Sequence, residues 1–289
     1  MLGHIKAGFR RMLGLHHPGR NLLVYPDDVF IVSYPKSGNT WTRFLIANLL
    51  HPEIQTDFGN INELIPDPEA LSKRKMDAMP RPRVIKSHQY FDPRYPKVVY
   101  IVRDPRDVAV SQYHFHRKRR MIEDNFPIER FVTRFVAGAT SPYASWGENV
   151  GSWLATRYQA STFLFLRYED LVSETIPELS RLVSFLGRNP DPVLLAQAAE
   201  RSSADQMRKL ENAQSGLWSS TRKTRQDVPF VRSAKAGGWK SELPKNSVAE
   251  LEAAWGSLMT SLGYELASDE KSSTQGFRFT ASVLGGAAR

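Results

Sequence analysis

The chain has no cysteine, which excludes disulfides, thiolate metal sites and cysteine nucleophiles. No apolar run approaches the roughly 18–20 residues needed to cross a bilayer. Basic residues near the N-terminus are not followed by a continuous apolar stretch, so a secretory signal is not expected and the cytoplasm is the expected compartment. There is no Gly-Lys dipeptide, so the common nucleotide loop GxxxxGK followed by Ser or Thr is missing. HExxH and GxSxG are missing too, which removes the zincin metal site and the serine-hydrolase elbow. No carboxylates fall at metal-ligand spacing, and no metal is expected.

What is present is a chain of 289 residues at 41% apolar content, enough to bury a large core as one α/β domain. The formal net charge is +9. A surplus of that size suits nucleic acid, an anionic membrane or a highly charged anionic small molecule. Residues 1–27 form a basic N-terminal segment, 28–266 the domain, and 267–289 a small, polar tail expected to be disordered. Ile5, Phe9, Met12 and Leu13 fall at helical spacing with Lys6, Arg10 and Arg11 on another face. That helix either packs on the domain or touches anionic lipid through residues 1–20.

Short apolar runs at 29–34, 83–87, 97–102 and 162–167 read as strands covered on both faces. Helical patterns occupy 40–50, 105–119, 127–138, 145–159, 175–186, 192–200 and 247–262. The alternation predicts a mostly parallel, doubly wound sheet flanked by helices, with ligands beyond the carboxyl ends of the strands. Lys36, Lys86 to His88, Arg103 and Tyr168 should therefore converge. Residues 51–82 read as a loop-rich excursion with short helices, and 213–236 as a long basic loop.

The segment 29–50, VFIVSYPKSGNTWTRFLIANLL, is the most informative. An apolar strand breaks at Ser33-Tyr34-Pro35, passes through Lys36-Ser37-Gly38-Asn39-Thr40 and continues as a helix. Such a strand–loop–helix turn aims backbone N–H groups and a helix N-terminus at one spot, which makes an anion site. Gly38 permits close backbone approach, and Lys36, Ser37 and Thr40 add a cation and two hydroxyls. The strand at 97–102 runs into Arg103 and then DPRDVAVSQYHF. Arg103 and Ser111 could hold a second phosphate through the planar guanidinium fork. Arg103 could equally pair with Asp104 or Asp107. Lys86-Ser87-His88 ends the strand at 83–87. His88 there is either a structural histidine or a general base. His114 and His116 read as facing solvent or the rim.

Together these residues resemble the sulfotransferase family that uses 3′-phosphoadenosine 5′-phosphosulfate (PAPS), in its soluble alcohol- and phenol-modifying branch. YPKSGNTW at 34–41, RDPRDVAVSQYHF at 103–115, SPYASW at 141–146, RYEDL at 167–171 and FVRSAKAGGWK at 230–240 follow in the family's order. The resemblance implies transfer of a sulfuryl group from PAPS to a hydroxyl, leaving 3′-phosphoadenosine 5′-phosphate (PAP). It places Lys36 on the leaving 5′-phosphate and the backbone and hydroxyls of Ser37, Gly38, Asn39 and Thr40 around it. It sets Trp41 near the adenine, and Arg103 and Ser111 on the 3′-phosphate. Tyr168 and the run Ser202, Ser203, Ala204 lie along the nucleoside. Arg232, Ser233 and Ala234 close over the 3′-phosphate. His88 removes the acceptor proton and Lys86 steadies the transferred group.

The chain departs from the family at four places. Asn39 replaces a frequent threonine. Ser233-Ala234 stands where Lys-Gly is common, and Ala204 where an aromatic often covers the adenine. The family's dimerisation motif is not clear after Lys240, which leaves the oligomeric state open. A phosphate-loop kinase, or a basic nucleotide- or lipid-binding protein, is the competing function. The basic runs Arg117 to Arg120 and Arg222 to Arg225 invite the second, though they flank the same site and no polynucleotide partner is expected. Tyr90, Phe91, Tyr143, Trp146, Trp153 and Trp218 are candidate acceptor walls or core. A small-molecule, lipid or glycan hydroxyl would fit them.

Overall fold

The computed structural model describes residues 22–218, 221–232 and 234–267. The tail, Ser233 and the N-terminal amphipathic pattern, including its lipid contact, lie outside them. Four strands form one sheet: β1 (Val29–Ser33), β2 (Val84–Ser87), β3 (Lys97–Val102) and β4 (Phe163–Arg167). Their order is β2-β1-β3-β4 and every pairing is parallel. Val32 pairs with Ser87 on one side and Tyr100 on the other. The ends of β1, β2 and β3 thus lie side by side.

Successive strand residues point to opposite faces, and both faces are covered. One face of β1 and β3 (Phe30, Val32, Val98, Tyr100, Val102) packs on α4 (Pro105–Lys118), α5 (Ile128–Val136), α6 (Trp146–Arg157) and α12 (Lys245–Ser261). The other (Val29, Ile31, Val99, Ile101) meets α1 (Asn39–Leu50), α7 (Tyr168–Ser173), α8 (Thr175–Phe185) and α10 (Ala204–Gln214). Helix α9 (Pro192–Arg201) packs on α1 through Leu195 and Ala198 against Leu45 and Leu49. This covering explains why the strand sequences show little alternation.

Local signals set the helix starts. Asp104 accepts from the Arg106 N–H with Pro105 in the first turn of α4. Ser145 and Glu148 form a reciprocal capping box on α6. The excursion 51–82 carries α2 (Ile61–Leu64) and α3 (Lys73–Asp77). Arg83 ties it to the sheet: its guanidinium is paired with buried Asp28 at 2.6 Å and also donates to the Met76 carbonyl.

Three helices were not legible as apolar patterns. Helix α7 is too short for a period to show. Helix α10 buries only Met207 and Glu211, so its stripe is thin, although Ser203 caps it. Helix α11 (Trp239–Glu242) is a single turn. Residues 213 and 214, expected in a loop, complete α10. Among the described residues no helix is long and apolar enough to cross a membrane.

Phe30 is fully buried in the middle of β1 and stacks on Tyr95 with ring centroids 3.6 Å apart. Phe30→Ala should lower unfolding free energy by about 3–5 kcal/mol. Urea denaturation reads this as a lower midpoint at unchanged slope. An unchanged midpoint would contradict the packing described.

Candidate functional site

The β1–α1 loop turns on two left-handed residues, Lys36 at φ 72 and Gly38 at φ 95. Gly38 has no substitute here, because a Cβ would lie 2.5 Å from the Tyr168 ring. Lys36 pays the steric cost of a side chain in that region, on the order of 1–2 kcal/mol. The first turn of α1 leaves its backbone N–H groups without helical partners, and Ser37 lies buried beside them. Asn39 does not aim at the loop's mouth. Its amide donates to the Ile31 carbonyl and to Ser33 Oγ, both at 3.2 Å, locking the helix start to β1.

The Lys36 ammonium lies between two aromatic rings, 4.5 Å from the Phe115 centroid and 3.9 Å from that of Phe230. Although the residue as a whole is partly exposed, loss of hydration at the ammonium and then repulsion from Arg103 pull its pKa down to about 7. Arg103, from the end of β3, is 8% exposed. It donates to the Lys36 carbonyl at 3.3 Å and the Lys235 carbonyl at 3.1 Å, and its guanidinium lies 4.3 Å from the Tyr168 ring centroid. Asp107 is 3.7 Å from it. The Asp107 carboxylate accepts from the backbone N–H groups of Gly237 and Trp239 at 2.7 and 2.9 Å. Arg103 and Asp107 together thus tie β3, the first loop and residues 235–239 into one block.

The remaining donor-side candidates gather around this block. Trp41 donates its indole N–H to the Ser202 carbonyl at 2.8 Å and meets Tyr168 edge-on, with centroids 5.8 Å apart. Ser203 and Ala204 follow at the start of α10. The Ser203 hydroxyl serves as the helix cap. Ser111 sits partly exposed on the second turn of α4, and Thr40 partly exposed at the start of α1. Ala234, where glycine is common in the resembled family, keeps a left-handed backbone at φ 52. Arg232 is engaged by Glu242, whose other oxygen lies 2.7 Å from His114 Nε2. Three polar atoms at the site, the donors Ser37 Oγ and Arg103 Nε and the acceptor Asn39 Oδ1, are buried with no hydrogen-bond partner among the described residues. Beside Lys36, the two orphaned donors suit a polyanionic nucleotide, so the residues fit a PAPS-type donor.

On the neighbouring strand end, His88 Nδ1 lies 2.7 Å from the Ser33 carbonyl. A carbonyl only accepts, so Nδ1 carries the proton and Nε2 keeps its lone pair. Desolvation and then the nearby Lys86 charge push the His88 pKa down to about 3, which leaves the ring neutral. Lys86 itself is paired with Asp67 at 2.8 Å.

Burial corrects the reading of His116 and decides several that the sequence left open. His116 is 7% exposed and its pKa is pushed down to about 4, chiefly by burial, so it belongs to the interior. His114 is held by Glu242 instead of facing open solvent. Trp146 and Trp153 are core side chains under β3, and Trp218 stacks on Phe58 in the other layer. Tyr90 near His88 is exposed and Phe91 is half-buried against Trp153, while Tyr143, 5.7 Å from the imidazole, is buried with its hydroxyl on Glu69. Within the basic run 117–120, Lys118 is not on a solvated face.

The Lys118 side chain is 1% exposed. Its ammonium lies 3.4 Å from Glu211 Oε1 and donates to the Arg225 and Val228 carbonyls at 3.0 and 2.6 Å. Glu211 also accepts from the Phe230 and Val231 N–H groups at 2.6 and 2.8 Å. This buried pair latches residues 225–231, and with them the Phe230 ring, over Lys36. Nothing in the composition of α10 or of the basic run marks either residue. Among the described residues no group of three or more His, Asp or Glu side chains is placed to hold a metal.

Replacing Glu211 by Gln leaves Lys118 buried without its countercharge. Glu211→Gln should therefore cost about 3 kcal/mol of unfolding free energy, read by urea denaturation. A variant as stable as the parent would rule out the latch.

The family model "Sulfotransferase domain" matches residues 26–263. Human sulfotransferase 1C2 is 28% identical over 238 residues, covering 75% of this chain and 77% of that protein. Bovine (Bos taurus) sulfotransferase 1E1 is 27% identical over 248 residues, covering 81% and 83%. Mouse sulfotransferase SULT7A1, solved with PAP, superimposes at TM-score 0.67 with 23% identity over 87% of this chain and 91% of that one. Retinol dehydratase solved with retinol and PAP gives 0.66 with 22% identity over 86% of each chain. At such identities the structural likeness speaks for the fold, while the domain match spans most of the chain. The chain belongs to the sulfotransferase family, as an enzyme whose sulfuryl donor is PAPS.

Proposed function

We propose that this enzyme transfers the PAPS sulfuryl group to a hydroxyl of a small acceptor, with His88 as the general base and Lys36 on the leaving 5′-phosphate. The observation that carries the base assignment is the Ser33 carbonyl on His88 Nδ1. It leaves Nε2 unprotonated and holds the ring one strand away from Lys36. A positioned base contributes roughly 10²–10⁴-fold. The same carbonyl bond steadies the imidazolium formed when Nε2 takes the acceptor proton.

Lys36 supplies positive charge to the leaving phosphate where charge develops, a role worth on the order of 3 kcal/mol. Ser37 to Thr40 cradle that phosphate through backbone N–H groups and hydroxyls. Arg103 and Ser111, with Arg232 released from Glu242, take the 3′-phosphate. The Ala234 backbone keeps the conformation that glycine would give, which supports a contact there despite the added methyl. Trp41, Tyr168 and Ser203 line the nucleoside. Lys86 steadies the transferred group. In the donor, the anhydride supplies the activation, so positioning and fixed charge do the protein's part.

On the acceptor side, Tyr90, Phe91 and Tyr143 offer an aromatic approach to His88 that suits phenols, steroid-like or other lipid alcohols, and sugar faces. Retinol dehydratase, a structural neighbour solved both with retinol and with androsterone, favours trying lipid alcohols first. Contact of residues 1–20 with an anionic membrane is supported only by their amphipathic basic pattern, and cytoplasmic action by the resemblance to the soluble branch.

A screen of phenols, lipid alcohols and glycans with sulfur-35-labelled PAPS should return labelled product. With the acceptor so found, His88→Ala should lower kcat about 10²-fold or more and leave PAP affinity near normal. Because His88 stays neutral down to about pH 3, kcat/KM of the parent enzyme should show no acid limb near pH 6.5. Unchanged turnover in His88→Ala would remove the base assignment.

A further inference from the structure

The excursion 51–82 places a carboxylate at the end of β2. Asp67 Oδ2 lies 2.8 Å from Lys86 Nζ, with side chains only 13% and 12% exposed respectively. The contact is built into the backbone on both sides. Lys86 N–H donates to the Pro66 carbonyl at 2.9 Å, as if residue 66 extended the sheet beside β2. Asp67 Oδ1 accepts from the Glu69 N–H at 2.9 Å, and the Asp67 carbonyl accepts from the N–H groups of Ala70 and Leu71 at 2.9 and 3.0 Å. The carboxylate is therefore fixed in orientation before it meets the ammonium.

A second cation presses on the same place. Arg43 on α1 is 1% exposed. Its guanidinium donates to Asn62 Oδ1 at 2.8 Å and to the Ile61 and Ile65 carbonyls, and makes no ion pair among the described residues. Its burial lowers its pKa to about 10, with Asp67 the opposing charge. Lys86 and Arg43 both disfavour a proton on His88, and Asp67 favours it. Without Asp67, His88 would have to accept a proton beside two uncompensated cations, and the Lys86 ammonium would have no fixed position.

We propose that Asp67 is a positioning residue for sulfuryl transfer, holding the Lys86 ammonium at the strand end and offsetting the Lys86 and Arg43 charges that flank His88. This rests on the roles given above to Lys86 and His88. It also gives part of the loop-rich 51–82 excursion a purpose in the reaction.

The test is a double-mutant cycle on the full chain with Asp67→Asn, Lys86→Met and both together. The readout is the single-turnover loss of label from sulfur-35 PAPS with 4-nitrophenol present, so that transfer to the phenol and to water are both counted. PAP affinity is measured for each variant as the check on folding. Asp67→Asn should slow turnover about 100-fold at unchanged PAP affinity, and Asp67→Glu should keep most of the rate. Because Asp67 acts mainly through Lys86, with only its offset of Arg43 left once Lys86 is gone, the double variant should be slowed far less than the product of the two single losses. Losses that multiply in the double variant, or a parent-like rate in Asp67→Asn alongside a slow Lys86→Met, would overturn the proposal. So would equal losses in Asp67→Glu and Asp67→Asn. A parent-like rate in Lys86→Met would instead overturn the Lys86 role on which the proposal stands. If Asp67→Asn fails to bind PAP, the decision rests on the double variant, which buries no unpaired ammonium at 86, and on Asp67→Glu.

Discussion

Positive charge is held out of water at the carboxyl ends of β1 and β3, without enough negative charge to match it. Lys36 has aromatic rings on two sides, and Arg103 is the charge that acts on it most strongly. Arg103 makes two bonds to carbonyls and a loose contact with Asp107, and keeps an orphaned Nε. Desolvated cations in this state are costly until an anion arrives. Around them stand a left-handed loop, an enforced glycine, and carboxylates that pair with the neighbouring cations Lys118 and Arg232. Glu211 neutralises Lys118, and Glu242 occupies Arg232. The anion deficit is therefore local to the place where a phosphosulfate would lie.

The same arithmetic separates donor and acceptor halves. On the donor side Lys36 lies between aromatic rings and Arg103 has only a loose contact with Asp107, so both are desolvated cations with little compensation. On the acceptor side Lys86 already has its partner, Asp67, and the histidine beside it is kept neutral with a free Nε2. One sheet thus presents, on adjacent strand ends, a cation that lacks an anion and a base that lacks a proton. Both conditions suit transfer of an electron-poor group from a phosphate to a hydroxyl.

Much of this was legible in the residues. Strand ends at Lys36, Lys86, Arg103 and Tyr168 follow from where apolar runs stop, because a parallel sheet covered on both faces needs such runs. Gly38 follows from the turn. What escaped were contacts between segments distant in sequence. Lys118 looks like one residue of a solvated basic run, yet it is the buried one, and Glu211 sits on a helix whose apolar stripe is too thin to read. Asp67 looks like an ordinary turn residue after a proline. The Asn39 side-chain NH2 is spent on β1, which leaves the backbone N–H as that residue's donor to the loop. In each case the decisive fact is a hydrogen bond across roughly twenty to a hundred residues or a burial that composition does not encode; Asn39 alone is a local choice between two nearby partners.

The central claim is that Lys36 is a desolvated cation whose proton becomes secure only when a phosphate binds. Its pKa of about 7 in the free enzyme should rise when the 5′-phosphate of PAP lies beside it. Calorimetry of PAP binding at about pH 8.5, in buffers of different ionisation enthalpy, should therefore register uptake of about one proton per PAP. That uptake should fade toward pH 6, where Lys36 is already charged, and Lys36→Met should abolish it at the higher pH. Binding with no proton uptake at the higher pH, or uptake that persists in Lys36→Met, would contradict the account.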